Sequence, residues 1–517
     1  MSQVIQRGQA RINARPLVRS IAVLLGLLSP LAAALLGGSL ARLAALLSYP
    51  YPHDGLEGTL LHEARMLRTG EQIYGQLEPH HFVSAPYPPL HPIVLALADT
   101  YAGPHVFWSG RVVSLACALL TAALVALVVR RAAGSGAAGL IGAALFLSAP
   151  PVLLWGTRVK PDLMALSFTA LGLLLATVAI RGGERPRGAA WRHGASGLAA
   201  VCFACAFFTK QTDVAAALAA GLALAADDLL AWREGRLALT PLAPIRPRTA
   251  AFALIYLTLA LSGWALLDIA TGGGYTLHVW WNFQRTSWWS PGLFRKIATL
   301  LTFWWPAMIL AALAVALAPR RRALLAPALY ALVSPLTLLL AGEVGANHNH
   351  LLESHLALAM AGGCALGWAA GAAARGRPVA LAAVALAGLQ LVLAFGPPGW
   401  YADQLAPEDP PERFVAFIRA TPGEVLADDT GLLMAAGKPL RYDDPSTMGP
   451  AARSGLWDQR GLVEEIAQRR FAAIMLPLEV EESLEDPAER WTPEVLAAVR
   501  QHYRLLYRDR ISTYVPR

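Results

Sequence analysis

Charge is scarce in this 517-residue chain: Asp, Glu, Lys and Arg make up 15% of it, against about a quarter of a typical soluble domain. Cysteine is scarcer, with four residues, Cys117, Cys202, Cys205 and Cys364, all inside apolar runs. Cys202 and Cys205 stand one helical turn apart among Ala, Val and Phe, so they read as small apolar filler and imply no disulfide framework. No phosphate-binding loop, dinucleotide-binding glycine motif or zinc-helix signature stands in a fitting context, which removes nucleotide-dependent chemistry. The pI near 9.5 raises the question of nucleic acid. The basic residues lie between apolar runs, not on a stripe with interleaved aromatics, so no nucleic-acid partner is expected.

What the chain has in quantity is apolar surface. Hydrophobic residues are 56% of it and mean hydropathy is +0.45. A disordered chain, a collagen-like chain and an ordinary soluble enzyme are all excluded. The uninterrupted Ala/Leu/Gly/Val runs specify a polytopic α-helical membrane protein. Eleven apolar segments can be drawn, over 18–44, 106–129, 134–155, 162–180, 195–209, 213–231, 250–270, 297–318, 323–341, 352–374 and 378–396. Most have the roughly 20 residues that a hydrocarbon core requires; the fifth is short. The first is long and lacks a following small-residue cleavage site, so it reads as a retained helix.

Charge divides the chain near Pro397-Pro398. Residues 1–397 carry 29 Lys+Arg against 15 Asp+Glu, a net +14, and 398–517 carry 14 against 20, a net −6. With the N-terminus in the cytoplasm, 19 of those 29 basic residues fall on the cytoplasmic side: Arg7, Arg11, Arg15, Arg19, Arg130, Arg131, Arg181, Arg185, Arg187, Arg192, Arg233, Arg236, Arg246, Arg248, Arg320, Arg321, Arg322, Arg375 and Arg377. The positive-inside rule then fixes the orientation, and an odd span count puts the tail outside. The expected organisation is a membrane domain over 1–397, with a long first outer loop over 45–105, and a small extracytoplasmic α/β domain over 398–517. In the tail, strand-like runs at 424–427, 472–476 and 512–515 alternate with helix-like runs at 412–420, 461–470 and 493–503.

The outer side collects the unusual chemistry, including ten of the 12 histidines. A loop as long as 45–105 is uncommon unless functional. Residues 57–69 read as an amphipathic helix lying on the membrane surface. Four clusters of ionisable residues sit near membrane depth, where such groups are costly and mark function. In His53-Asp54-Gly-Leu-Glu57 a carboxylate can take a proton from a hydroxyl, although Asp54 and Glu57 also have helix-capping spacing. In Arg158-Val-Lys160-Pro-Asp162 the cations suit a phosphate, while Asp162 suits an acceptor, a metal or a helix N-cap. Lys210-Gln-Thr-Asp213 offers another phosphate contact, or a snorkelling lysine. Asn347-His348-Asn-His350 with Glu353 and His355 offers polar contacts; its His-x-His spacing defines no third metal ligand.

The candidate set is thus Asp54, Glu57 and Asp162 for catalysis. Arg158, Lys160, Lys210 and His348 are the candidates for a donor phosphate, and His80, His81, Tyr87, Asn347, His350 and Glu353 for substrate. Asp54 and Asp162 are also the acids to which a divalent Mg or Mn ion would fall. Trp280, Trp281, Trp288, Trp289, Trp304 and Trp305 suit an interfacial belt, or stacking on a sugar. Asp428-Asp429 and Asp443-Asp444 follow strand-like runs as turn residues, with no catalytic role expected.

Asp54-Gly-Leu-Glu57-Gly, Gly70-Glu-Gln-Ile-Tyr74, Tyr87-Pro-Pro-Leu90, Gly110-Arg111-Val-Val-Ser114, Arg158…Asp162, Phe208-Thr-Lys210 and Asn347-His-Asn-His-Leu-Leu-Glu353 follow one another over about 50–375. In that order they resemble the GT-C integral-membrane glycosyltransferases, most of all bacterial relatives of protein mannosyltransferases and of the lipid A aminoarabinose transferase. The resemblance implies an acidic base in the first outer loop and a second acid at the following one. It also implies an undecaprenyl- or decaprenyl-phosphate sugar donor in the bilayer, a glycan, lipid or protein acceptor, and inversion at the anomeric carbon, in a bacterial inner membrane. The family often has adjacent acids in the first loop; here Asp54 and Glu57 are three apart, so either is the candidate base. Chemically, transfer needs a base for the hydroxyl and cations for the leaving phosphate. A flippase for a lipid-linked saccharide is the rival reading, but transport needs polar groups reachable from both sides and often internal repeats. A membrane scaffold leaves the outer charge clusters unexplained.

Overall fold

A backbone in hydrocarbon has no water to bond, so an apolar run that crosses it must satisfy its own N–H and C=O groups, as a helix does. The computed structural model describes residues 26, 28–101, 103–180, 189–234, 247–282, 288, 290–344, 346–373, 379–396, 411–508 and 510–517. Arg7, Arg11, Arg15, Arg19, Arg181, Arg185, Arg187, Arg236, Arg246, Arg375, Arg377, Trp289 and the Pro397-Pro398 join lie outside them. All eleven apolar segments fall on helix within the described residues. Among the described residues eight helices, from Leu28–Leu47 to His348–Ala372, are long and apolar enough to cross a membrane, and Gly136–Ser148 and Val379–Phe395 are shorter apolar helices. The fifth segment is covered by Ala189–Thr209. The third is two helices, Gly136–Ser148 and Pro150–Trp155, with Ala149 extended between them, because Pro150 and Pro151 lack the N–H groups that would continue the first.

Side chains such as Val125, Phe146, Leu166, Leu224, Leu310, Met360 and Leu391 form one buried cluster across these helices. Pro306 interrupts the helix Ser290–Leu317. There Gln390, from Val379–Phe395, donates to the Phe303 carbonyl at 3.0 Å and accepts from the Ala307 N–H at 3.2 Å. Arg248 is buried, not a loop cation in water: it pairs with Asp227 at 2.5 Å and Asp228 at 2.6 Å, while Arg322 reaches Asp227 at 3.2 Å. This network staples helix ends far along the chain from Lys210 and Asp213, at the other end of Ala215–Arg233.

The tail is the small α/β unit expected. Strands β1 (Val425–Ala427), β2 (Ala473–Leu476), β3 (Tyr503–Tyr507) and β4 (Ser512–Pro516) lie in the order β1-β2-β4-β3. β1 and β2 are parallel; β4 is antiparallel to both its neighbours. β3 was not expected, because Tyr503-Arg-Leu-Leu-Tyr507 puts apolar residues on its exposed face too, which hides the alternation of a half-buried strand from the sequence.

The helix Leu56–Thr69 is also where expected, but its surroundings differ. Leu60, Leu61 and Ala64 share a buried cluster with Val425, Leu432, Leu433 and Met475 of the tail. Its apolar face meets protein, not a membrane surface. Farther along the loop, Phe82 pairs with the tail backbone, its N–H donating to Arg441 O at 2.8 Å and its carbonyl accepting from Asp443 N at 3.1 Å. Trp457 Nε1 donates to Glu78 O at 2.8 Å. The long loop is therefore the seat of the tail.

This seat depends on one close approach. A Cβ added at Gly58 would lie 2.6 Å from the Thr430 carbonyl and the Gly431 nitrogen. Gly58→Ala is expected to cost about 1–3 kcal/mol, as overpacking does elsewhere. The measurements are a lower unfolding temperature and faster hydrogen exchange over 425–436; unchanged exchange there would refute the contact.

Candidate active site

Between the ends of the membrane helices, the first loop and the tail lies a cavity of about 960 Å³. Of the expected site residues, Asp54, Tyr87, Arg158, Lys160, Lys210, Asn347 and His350 line it. Asp54 sits just ahead of the helix Leu56–Thr69 and accepts the Leu56 N–H at 3.0 Å. Its carboxylate faces Lys160 Nζ at 3.0 Å and Arg158 at 3.5 Å. Burial alone would raise the Asp54 pKa, but Lys160 and Arg158 outweigh burial and bring it down to about 2. Arg158 lies over the Trp155 ring at 4.6 Å, and Ser114 Oγ donates to the Arg158 carbonyl at 2.5 Å. Burial lowers His53, beside Asp54, to about 4, so its ring is neutral near pH 7.

Asp162 opens the helix Asp162–Ala179 and is buried. Its Oδ1 accepts from Lys210 Nζ at 2.6 Å and from Asn349 Nδ2 at 3.1 Å. Lys210 follows the last residue of Ala189–Thr209, so two helix ends and the Asn347–His350 turn meet at one ion pair. Glu353 lies behind it, hydrogen-bonded by Tyr330 at 3.1 Å, in a small crevice shared with Asp162 and Lys210 and off the main cavity.

Glu57 is placed quite differently from Asp54. Its side chain is fully buried and does not line the cavity. Arg111 grips it with two bonds, Nε to Oε1 at 3.0 Å and Nη2 to Oε2 at 2.8 Å. The Val159 N–H adds a bond to Oε1 at 2.9 Å and the His53 N–H one to Oε2 at 2.7 Å. Burial would raise its pKa, but Arg111 and these donors hold it below the usual carboxylate value. Arg111 also donates to Tyr51 O at 2.6 Å and to the Tyr49 carbonyl.

His348, His80 and His81 are not among the cavity-lining residues. His348 is the first residue of a short turn helix whose N-cap is Asn347. His80 is exposed, 3.4 Å from Glu465 of the tail, and His81 bridges to Glu78. Sequence spacing could not separate these histidines from those facing inward. Among the described residues no three His, Cys, Asp or Glu side chains converge on a metal position. Lysine ammonium groups stand against Asp54 and Asp162 instead, so this donor set does not fit a divalent ion.

The tail supplies what the sequence reading missed. Asp428, Asp429, Asp443, Asp444 and Arg490 line the same cavity. Partners within the fold account for one member of each doublet, but only Asp444 is the turn residue expected; Asp428 is held by residues more than 60 positions away. Asp428 binds Arg490 and accepts from Trp491 Nε1 at 2.9 Å; Asp444 caps the helix Pro445–Arg453, accepting the Ser446 N–H at 3.1 Å. Asp429 and Asp443 differ. Among the described residues, Asp429 Oδ1 and Asp443 Oδ2 are buried without a hydrogen-bond partner. Burial, with Asp428 and Asp54 near by, pushes Asp429 up to about 7. Burial and Asp444 push Asp443 well above the usual range, and burial with Asp443 and Asp444 does the same to Glu63 behind it.

Residues 86–244 match the family model described as dolichyl-phosphate-mannose-protein mannosyltransferase. No curated protein sequence matches the chain significantly. Among solved structures, ArnT from Cupriavidus metallidurans in the apo state aligns with 93% of this chain and 97% of its own, at 14% identity and a TM-score of 0.55. The Archaeoglobus fulgidus oligosaccharyltransferase in the apo form aligns over 91% of this chain and 72% of its own, at 11% identity and a TM-score of 0.54. The same organism's AglB, in complex with an inhibitory peptide and a dolichol-phosphate, covers 94% of this chain and 74% of its own, at 12% identity and a TM-score of 0.51. The chain is a multi-pass membrane protein with the GT-C fold, and the resemblance found in its sequence motifs holds.

The Glu57–Arg111 pair predicts a specific fragility. Removing one partner of a buried, hydrogen-bonded ion pair costs about 3–5 kcal/mol. Glu57→Gln and Arg111→Met are each expected to lower the unfolding temperature strongly. Because the Glu57 pKa is depressed by folding, its contribution is present above the ordinary glutamate pKa and is lost as pH falls through the folded value. Thermal unfolding of either variant indistinguishable from wild type would refute this.

Proposed function

We propose that this GT-C protein is an inverting glycosyltransferase, moving a hexose or pentose from a polyprenyl-phosphate donor to a hydroxyl of a glycan, lipid or protein at the extracytoplasmic face. The observation that carries it is the convergence of Arg158, Lys160 and Lys210 with Asp54 on one cavity, with Asp162 behind its wall and paired to Lys210, at the outer ends of apolar helices. The arginine excess of the opposite loops supports a cytoplasmic N-terminus and an outer tail in a bacterial inner membrane. The dolichol-phosphate held by the archaeal AglB structure supports a lipid phosphate as the leaving group. A flippase is disfavoured, because the inner-end charges Asp227, Asp228, Arg248 and Arg322 are locked in ion pairs.

Asp54 is our candidate base; Glu57 is positional, since Arg111 and two backbone N–H groups occupy its oxygens. Lys160 and Arg158 neutralise Asp54. A donor phosphate competes for both cations. As they turn to it, Asp54 loses the two positive neighbours that depress its pKa and gains a negative one, so it becomes a stronger base once donor is bound. Asp54 then takes the acceptor proton, and the acceptor oxygen bonds to the anomeric carbon. The bond from that carbon to the phosphate oxygen breaks, and its electron pair leaves with the polyprenyl phosphate. That anion is stable, so no general acid is needed. Asp162 holds Lys210 toward the phosphate through their 2.6 Å contact.

Purified protein in nanodiscs, given farnesyl-phosphoryl sugars, is expected to release farnesyl phosphate. Asp54→Asn should reduce turnover about 10²–10⁴-fold, as general-base loss does, without loss of folding. Full activity in Asp54→Asn would sink the assignment. Arg158→Gln and Lys160→Gln should each weaken farnesyl phosphate binding about 10–100-fold, the size of one charge-assisted contact.

The pH profiles supply a second test. The acid limb of kcat/KM reports the free enzyme and that of kcat the bound complex. The kcat limb should therefore lie at higher pH than the kcat/KM limb; coincident limbs would refute donor-released basicity.

A further inference from the structure

We propose that the tail domain builds the acceptor half of the active site, with Asp429 and Asp443 holding hydroxyl groups of a saccharide acceptor. The proposal rests on the glycosyltransferase reading above and names the acceptor class that reading left open.

The cavity has two unlike walls. The membrane-domain wall carries Lys160 and Lys210, each already facing a carboxylate, Asp54 or Asp162. The tail wall carries carboxyls, and the fold uses only half of them. Asp428 is taken by Arg490 and Trp491, and Asp444 by its helix cap. Asp443 Oδ1 is fixed by the Ser84 N–H at 2.9 Å, which leaves its Oδ2 without a partner on a side chain that is 0% exposed yet lines the cavity. Asp429 Oδ1 is likewise without a partner. Buried polar atoms are almost always hydrogen-bonded in native proteins, so two orphaned oxygens on one cavity wall mark positions where a ligand completes the bonding.

The backbone segments that carry the two carboxyls are linked through Thr59. Thr430, next to Asp429, meets Thr59 hydroxyl to hydroxyl at 3.0 Å, and the Thr59 hydroxyl also donates to the Asp443 carbonyl. Asp429 also stands beside the proposed base: a Cβ at Gly55 would lie 3.2 Å from Asp429 Oδ1, and Gly55 follows Asp54. A ligand completing both needs at least two hydrogen-bond donors, with the one at Asp429 held close to Asp54. The several hydroxyls of a saccharide meet that demand, and hydroxyl donors suit carboxyls that no cation accompanies.

The test uses full-length protein in nanodiscs, with methyl hexopyranosides as acceptor probes and farnesyl phosphate as donor probe, each followed by saturation-transfer NMR. Wild type is expected to bind both probes. Asp429→Ala and Asp443→Ala should weaken hexoside binding at least tenfold while leaving farnesyl phosphate binding unchanged. Asp429→Asn and Asp443→Asn, which keep a hydrogen-bonding group, should stay within about threefold of wild type. Four results would overturn the proposal: no hexoside binding to wild type, hexoside binding unchanged in the Ala variants, loss of both probes together, or Asn variants as weak as Ala, which would indicate a cationic ligand. Wild type that binds hexosides but not farnesyl phosphate would instead reject the donor reading and leave the acceptor wall standing.

Discussion

Everything around the cavity is hung on the ion pair between Glu57 and Arg111. Four donors converge on the two Glu57 oxygens: two from Arg111, one from the His53 backbone and one from Val159. His53 is the residue before Asp54, and Val159 stands between Arg158 and Lys160. A single carboxylate therefore fixes the backbone on both sides of the Asp54–Lys160 contact. Arg111, on the long helix Trp108–Ala133, carries that register into the membrane domain. Two charges buried together cost several kcal/mol in desolvation, and only near-complete hydrogen bonding offsets it. That is why a base candidate and a structural acid, three positions apart, have opposite fates. One faces a cavity; the other has no unused oxygen.

The remaining site charges follow a different rule: they are paired with groups that a phosphate can displace. Lys160 and Lys210 face Asp54 and Asp162 at 3.0 and 2.6 Å, so the cationic wall is held in place without substrate. Such preorganisation lowers the cost of ordering long flexible side chains when the ligand arrives. It also sets a sign. An anionic ligand that takes the cations must leave a carboxylate behind, and that carboxylate is more basic than before.

Much of the architecture was legible because it follows from burial alone. Apolar runs must be helices in hydrocarbon, and the Asp54–Glu57 spacing announced the start of Leu56–Thr69. The tail's central strands were legible for the same reason, being continuous apolar runs such as Ala473–Leu476. β3, half exposed at a sheet edge, left no such trace. The site was legible by residue type and not by direction. His348 and His350 are two residues apart, yet only His350 lines the cavity. Asp428-Asp429 and Asp443-Asp444 looked like turn chemistry, and for Asp444 they are, whereas Asp428 pairs with Arg490 and Trp491. What Asp429 and Asp443 face depends on a contact with residues more than 350 positions away, which no local pattern encodes.

The charge division of the chain acquires a meaning from that contact. An acidic tail on a basic membrane domain suggests two solubility problems solved separately. The structure joins them: Leu60, Leu61 and Ala64 of the loop share a core with Val425, Leu432 and Met475 of the tail, and Gly58 lets the backbones touch. Apolar burial of this kind, about 25 cal/mol per Å², has to outweigh the cost of bringing Glu63 and Asp443 together beside Asp444. Those acids therefore do not hold the tail on; the apolar core holds it on in spite of them. A fold that tolerates such a cost at its own domain junction gains stability whenever a ligand supplies the missing bonds. The junction is thus strained where the cavity is open and relieved where it is filled.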